Sequence, residues 1–410
     1  MILLLCKATL SVIFLLILVL YGSTHFYRDP GSIFFDRTRA FEQRYSLLRK
    51  AETQQFIADF QAGRTAEAAK NGSLCISLSS VGRKETSYLE TTIASILQGL
   101  TTPERSDLYI NILNAEPDPS HHPSWNRSWL HDAVDRFDGY SFKDPEEETY
   151  ITSLAEKEEF AVKGVYDYRT ALQRCLDTDA RYVAVFEDDV LLANGWLMQA
   201  LSGLDKIAAT TVDQYLFMRL FNQERSIGWA GKNIGENHEY PIIFGITLFV
   251  SLSSMAIRRR WQWTRRYLDV GTLLAITGIL IPGLVILFYQ CGKASLLPPS
   301  PGVVEESFGC CSQALIFPKE SIPPMMDYLQ ERKSGQVDLM LDQLAVERGY
   351  ARYALYPVQA QHIGLESARK TQRDEAQAVW SMAFEDLEPK KLEAEHLRLA
   401  RLRYGSEARA

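Results

Sequence analysis

Residues 240–257 and 268–290 are two apolar stretches in mid-chain, joined by ten residues, 258–267, that carry five arginines and two tryptophans. Each stretch is close to the length a helix needs to cross a bilayer. The first is near the lower limit, and alone it would read equally well as a buried core helix. Its pairing with the second favours a membrane hairpin. Pro282 and Gly283 are tolerable there, because membrane helices accommodate such residues. Short loops rich in Lys and Arg stay on the cytoplasmic side, and tryptophan suits the interface. A hairpin returns the chain to the side it came from, so residues before and after it can build one domain.

Residues 2–20 form a third apolar run, broken only by Lys7, Thr9 and Ser11. The run is long for a cleaved signal peptide, and no convincing small-residue cleavage site follows it, so an uncleaved signal anchor is expected. The 410 residues suffice for one large domain or two ordinary ones. With 46% hydrophobic residues and a net charge of −7, the chain has material for a core and gives no support to nucleic-acid binding. Cys6 lies in the first apolar run. Five cysteines remain, an odd number, so at least one is left unpaired within the chain. Asn71-Gly-Ser and Asn126-Arg-Ser are glycosylation acceptors if this part of the chain enters the secretory lumen.

The candidate site starts from residues 181–192, RYVAVFEDDVLL. Residues 182–186 are apolar, β-branched and aromatic, which predicts a strand buried on both faces. The strand ends in Glu187, Asp188 and Asp189. Open α/β sheets place their ligands at such C-terminal strand ends. Carboxylates suit Mg2+ or Mn2+, and such a metal suits a diphosphate. The same residues also fit a solvated acidic turn after a core strand. Upstream, residues 74–80 predict a strand, 82–88 a polar loop, 88–100 an amphipathic helix and 108–114 a strand, the order in which a nucleotide-binding α/β half begins. His121, His122 and His131 lie in a His-, Pro- and Trp-rich stretch, 118–138, that reads as a surface loop because no Cys or carboxylate falls at metal-ligand spacing. Residues 34–70 read as a helical stem, 296–302 as a stiff linker, and 369–404 as a packing helix without chemistry.

Four segments in this order, SVGRKETSYL at 80–89, FEDDV at 186–190, VDLMLD at 337–342 and QHIG at 361–364, resemble the signatures of N-acetylglucosaminyltransferase IV-like enzymes. With the hairpin between the second and third, the chain more closely resembles the GPI-anchor side-chain N-acetylgalactosamine transferases. The resemblance runs from about residue 73 to 367.

It implies an α/β fold, a Rossmann-like GT-A glycosyltransferase domain split by the hairpin. In that scheme residues 1–22 are the anchor and 23–72 a lumenal stem. Residues 73–239 and 291–368 are the two parts of the GT-A domain. Residues 240–257 and 268–290 are membrane helices around a cytosolic loop, 258–267, and 369–410 is a C-terminal helical region. The resemblance also implies a UDP-sugar donor, UDP-GalNAc, a Mn2+ (or Mg2+) ion and direct inversion. The acceptor is a mannose of the GPI-anchor core on a GPI-anchored protein or glycolipid. The protein is expected at the Golgi membrane with the catalytic domain lumenal; the endoplasmic reticulum is the alternative.

Asp189 and His362 are then the metal ligands. Glu187 and Asp188 hold the ribose or metal-bound water. Val81 and Arg83 contact the nucleotide, and Ser312 and Gln313 line the donor-sugar pocket. Asp338 is the general base, since inversion needs one at the acceptor hydroxyl. A helix N-cap would explain Asp338 equally well, and Asp342 and Glu306 compete for the base role. The resemblance favours a Cys310–Cys311 disulfide; each could instead find another partner. Two other functions stay open: transfer of GlcNAc or another hexose to an N-glycan or glycolipid, and a non-catalytic membrane scaffold of the same fold.

Overall fold

The computed structural model describes residues 2–63, 72–83, 87–210, 214–224, 238–306, 311–366 and 371–405. The chain divides into two compact units: residues 1–42 with 224–299, and residues 43–223 with 300–410.

The first unit holds three helices long and apolar enough to cross a membrane: Leu3–His25, Glu239–Arg260 and Val270–Gln290. The second is longer than its apolar core suggested, because Arg258, Arg259 and Arg260 extend its last turn. The third carries a π-helical turn, Ile276–Leu280, directly before Pro282. Proline cannot donate a backbone hydrogen bond, and a one-residue slip in register accommodates it. Lys7, the one charge in the first helix, donates to Asp269 at 2.5 Å and to Thr272 at 2.7 Å at the start of the third. Pairing offsets the cost of a charge in an apolar helix. A Cβ on Gly283 would overlap Leu15, so glycine lets these two helices approach closely.

The second unit is a mixed α/β structure. Its strands are β1 (Leu74–Ser80), β2 (Leu108–Asn114), β3 (Arg136–Asp138), β4 (Tyr182–Phe186), β5 (Val190–Leu192), β6 (Tyr215–Arg219), β7 (Gly302–Glu305), β8 (Ala314–Pro318), β9 (Ala351–Tyr356) and β10 (Ala360–His362). Eight form one sheet in the order β3-β2-β1-β4-β8-β6-β9-β7, and β5 pairs with β10. Strands β3, β2, β1 and β4 are parallel, whereas β8 is antiparallel to both β4 and β6. The strand order reverses at β1, which leaves a crevice between the C-terminal ends of β1 and β4.

All five residues of β4 are buried, as its apolar run requires. Apolar clusters cover both faces of the sheet. One includes Ile93, Leu97, Trp196 and Leu201 from the helices Leu89–Leu97 and Trp196–Thr210. The other includes Val165, Leu172, Met325 and Leu341 from the helices Phe160–Leu176, Ile322–Arg332 and Val337–Arg348. Cys75 on β1 forms a disulfide with Cys175 on the helix Phe160–Leu176. Cys6 and Cys291 are free thiols. Cys311 is disulfide-bonded; Cys310 lies outside the described residues.

Two peripheral segments do more than sequence suggested. The helix Tyr45–Gln61 is a docked part of this unit. Its Arg49 is fully buried and donates to the Leu192 carbonyl at 3.0 Å and the Ser95 carbonyl at 3.2 Å. The C-terminal region is three helices, Arg373–Ala378, Met382–Glu385 and Pro389–Tyr404. The last is anchored by a contact of 2.8 Å between His396 and Glu104.

Candidate active site

The register between β1 and β4 pairs Leu78 with Phe186. Two residues further on, where the strands end, Ser80 stands opposite Asp188, and its hydroxyl donates a short hydrogen bond to Asp188 Oδ2. Beyond Ser80 the chain turns through Val81 and Gly82, and Arg83 reaches back across the crevice. Its guanidinium donates to Asp188 Oδ2 at 2.9 Å and Oδ1 at 2.7 Å, and to Asp189 Oδ2 at 3.0 Å. A fork of donors matched to two carboxylates is the geometry in which arginine binds most strongly. Burial works against the charge on Arg83, but Asp188 and then Asp189 outweigh it and raise its pKa above the ordinary arginine value. The Arg83 chain also lies over the Tyr88 ring at 5.1 Å and donates to the Glu366 carbonyl at 3.0 Å.

The β5–β10 ladder brings the next residues together. It pairs His362 with Val190 and continues as a hydrogen bond of 2.9 Å from the Ile363 amide to the Asp189 carbonyl. His362 Nε2 therefore stands 3.6 Å from Asp189 Oδ2, just beyond hydrogen-bond distance. His362 Nδ1 lies 3.0 Å from the Val379 carbonyl. A carbonyl can only accept, so Nδ1 carries a proton and the neutral ring presents its Nε2 lone pair on the Asp189 side. Burial tends to lower the His362 pKa, but the neighbouring Asp189 outweighs it and raises the value above normal. Burial likewise tends to raise the pKa of Asp189, and His362 with Arg83 holds it below the carboxylate range.

Asp189 is 7% exposed, and its Oδ1 is buried without a hydrogen-bond partner. An orphaned carboxylate oxygen beside an imidazole lone pair fits a divalent cation. Among the described residues no group of three or more His, Cys, Asp and Glu side chains could hold a metal ion. The pair could supply two ligands, with the remaining positions left to a diphosphate and water.

Glu187 accepts from the Ser312 hydroxyl at 2.8 Å, and the Glu187 amide donates to the Gln313 carbonyl at 2.9 Å across the β4–β8 pair. Gln313 is buried, with its Oε1 unpartnered. Val81 packs against the small cluster of Leu113, Ala115 and Ala171. The carboxylates that competed for the base role differ in their surroundings. Glu306 pairs with Arg219 at 2.7 Å, and Asp342 with Arg352 at 2.6 Å. Asp338 is half-buried on the first turn of the helix Val337–Arg348, with its Oδ1 2.9 Å from the next amide. Gln336, not Asp338, is the N-cap of this helix.

Three contributors escaped sequence reasoning. His122 is 2% exposed, not a surface-loop histidine, and its Nε2 lies 2.9 Å from Ser80 Oγ. Tyr168 has a buried hydroxyl without a hydrogen-bond partner. Burial raises its pKa far above normal, and the nearby charges of Glu187 and Asp338 add to this. The C-terminal segment, read as lacking chemistry, supplies the Val379 carbonyl for His362, while Gln361 bonds to Ser381 and Glu385. The potential glycosylation residue Asn126 is exposed; Asn71 lies outside the described residues.

No curated protein matches the chain. The family model described as GPI-N-acetylgalactosamine transferase PGAP4 matches residues 74–359, more than half of the chain. The match spans β1 to the residue before β10 and so takes in Arg83, the acid turn and Asp338, while His362 lies just beyond it. The chain therefore belongs to the GPI-N-acetylgalactosamine transferase PGAP4 family, a family of glycosyltransferases.

Proposed function

We propose that this chain transfers GalNAc from UDP-GalNAc to a mannose of the GPI-anchor core, with inversion, through a GT-A-type domain interrupted by the membrane hairpin. The observation that carries this reading is the juxtaposition of Asp189, with its orphaned Oδ1, and the Nε2 of His362, in a chain of this family. Asp189 and His362 would hold a Mn2+ or Mg2+ ion, which as a Lewis acid would stabilise charge on the departing diphosphate. Arg83 carries a fixed positive charge in the same crevice and would bind the phosphate oxygens. Glu187 and Asp188 would orient the ribose and bound water. Val81 would contact the nucleotide, and Ser312 with Gln313 would line the donor-sugar pocket.

Asp338 would take the proton from the attacking mannose hydroxyl. Its rivals Glu306 and Asp342 are each engaged by an arginine, which favours Asp338. We place the enzyme in the Golgi membrane with the second unit lumenal, because the arginine-rich connection between the hairpin helices belongs on the cytosolic side.

The test is donor screening with purified, detergent-solubilised protein, with and without Mn2+. UDP-GalNAc turnover that depends on the metal and increases with a GPI-core glycolipid is the expected result. Preference for UDP-GlcNAc with an N-glycan acceptor would overturn the substrate assignment, and turnover undiminished by chelation would overturn the metal.

A further inference from the structure

Asp188 is 6% exposed, and both of its oxygens are engaged: Oδ1 by Arg83, and Oδ2 by Arg83 and by Ser80. Ser80 is itself 2% exposed, so its single hydroxyl proton has few places to go. Within reach of Ser80 Oγ are Asp188 Oδ2, which at neutral pH can only accept, and His122 Nε2 at 2.9 Å, which accepts or donates according to its tautomer.

The tautomer is decided on the far side of the ring. The Ser124 amide donates to His122 Nδ1 at 3.1 Å. Nδ1 must therefore be a lone pair, and the ring proton of neutral imidazole must sit on Nε2. Burial, opposed by the charges of Asp188 and Glu116, lowers the His122 pKa and keeps the ring neutral. With Nε2 donating, Ser80 Oγ accepts from His122 and its own proton is left for Asp188. Every bond then runs in one direction, from the Ser124 amide through His122 and Ser80 to Asp188, and each polarises the next.

We propose that His122 is a positioning residue: through Ser80 it sets the orientation of the Asp188 carboxylate, and thereby the seat of the Arg83 guanidinium that meets the nucleotide diphosphate. The proposal rests on the donor reading above. A reversed tautomer would let the Ser80 proton turn to His122, and Asp188 would lose the neutral donor that Ser80 supplies. Arg83 would then be free to tilt toward Asp189, with which it already shares a contact of 3.0 Å.

Two substitutions separate this role from a merely structural one. Glutamine places an amide NH2 where Nε2 stands and can donate to Ser80. Asparagine places a carbonyl where Nδ1 stands and can accept from Ser124, but does not reach Ser80. The relay predicts that His122→Gln binds UDP within about threefold of the unaltered protein, whereas His122→Asn and Ser80→Ala bind roughly tenfold more weakly, as expected for one lost hydrogen bond of about 1.4 kcal/mol. Loop support alone predicts the reverse order, Asn retaining affinity and Gln losing it, and that result would overturn the proposal. Equal affinity in all four proteins would also overturn it.

A second measurement needs no nucleotide. The ring nitrogens of His122, read by 15N NMR on the unaltered, histidine-labelled protein, should show the proton on Nε2. A proton on Nδ1 would refute the relay. Absence of UDP binding by the unaltered protein would refute the donor reading, and the tautomer would still decide for or against the relay.

Discussion

Gly364 lies directly against the side chain of Asp189: a Cβ on the glycine would stand 2.7 Å from Cγ of the aspartate and 3.0 Å from its Cβ. No side chain fits there without moving the carboxylate. Gly364→Ala should therefore reduce transfer at least tenfold while the fold persists with a loss of about 1–3 kcal/mol, the usual cost of overpacking. Turnover and thermal unfolding of the purified variant check this. Unchanged turnover would mean that the position of the Asp189 carboxylate is irrelevant to catalysis.

Asp189→Asn keeps the shape of the side chain but removes its charge. If Asp189 holds the cation, Mn2+ binding should weaken sharply and transfer should fall about a hundredfold or more. Metal titration followed by manganese EPR reads the first effect separately from the second. Asp189 is buried beside Arg83, so Asn is a safer probe than Ala, which would leave a cavity and a poorly compensated guanidinium.

Asp338→Asn should lower transfer by about two to four powers of ten with little change in UDP affinity, because an amide cannot take a proton. Asp342→Asn and Glu306→Gln should behave differently. Each removes a carboxylate partner of a buried arginine, Arg352 or Arg219, so the main loss should be in stability, on the order of a few kcal/mol. A folded Asp342→Asn or Glu306→Gln protein that is as inactive as expected for Asp338→Asn would reassign the base.

His122 should impose an acid limit on stability. Its folded pKa is depressed, chiefly by burial. The unfolded chain therefore takes up the proton first. The stabilising contribution is complete above the unfolded value of about 6.5 and is lost as pH falls through the lower folded value. The thermal midpoint of the unaltered protein should thus fall more steeply between pH 7 and 5 than that of His122→Gln. Parallel slopes would refute the assignment. His362, raised by Asp189, has the opposite sign: its contribution is present below the unfolded value and is lost as pH rises through the higher folded one. Comparing two proteins that both keep His362 cancels that term.

An Asn-X-Thr acceptor, set in an extended polar spacer between Arg260 and Arg265, should stay unglycosylated in cells that modify Asn126. Glycan addition in the spacer, read as a mobility shift removed by glycosidase, would overturn the orientation of the hairpin.

The elements legible in the sequence were those in which one local pattern dominates. The run from Tyr182 to Phe186 read as a buried strand and is one, and residues 74–80 and 108–114 formed their strands as expected. Short pieces stabilised by distant partners were not legible. Three-residue β3 lies in a stretch read as a loop, β7 begins where a linker was expected, and β10 exists only because β5 pairs with it. The acid turn and His362 were found through motifs, but nothing near His122 announces that residue 80 stands beside it. That depends on the β1–β2 register, which sets Ser80 beside Asn114, and on the course of the loop after β2, just as the support of His362 by Val379 depends on how a later segment folds back. The Cys75–Cys175 pair was hidden for the same reason, since 100 residues separate its members.

The antiparallel strand β8 has a consequence for how such a chain is made. β8 fills the place between β4 and β6, yet it is synthesised after both of them and after the two later membrane-length helices. Until residues 314–318 emerge, β4 is an edge, with Val183 and Val185 at a margin open to any other strand. A ribosome-bound chain ending anywhere in the hairpin has the residues of the acid turn but neither β8 nor His362 to set beside them. Cellular quality control would therefore meet this protein first as an unfinished sheet. A stop codon or a stalled insertion in the hairpin should send the chain to degradation rather than yield a shortened enzyme.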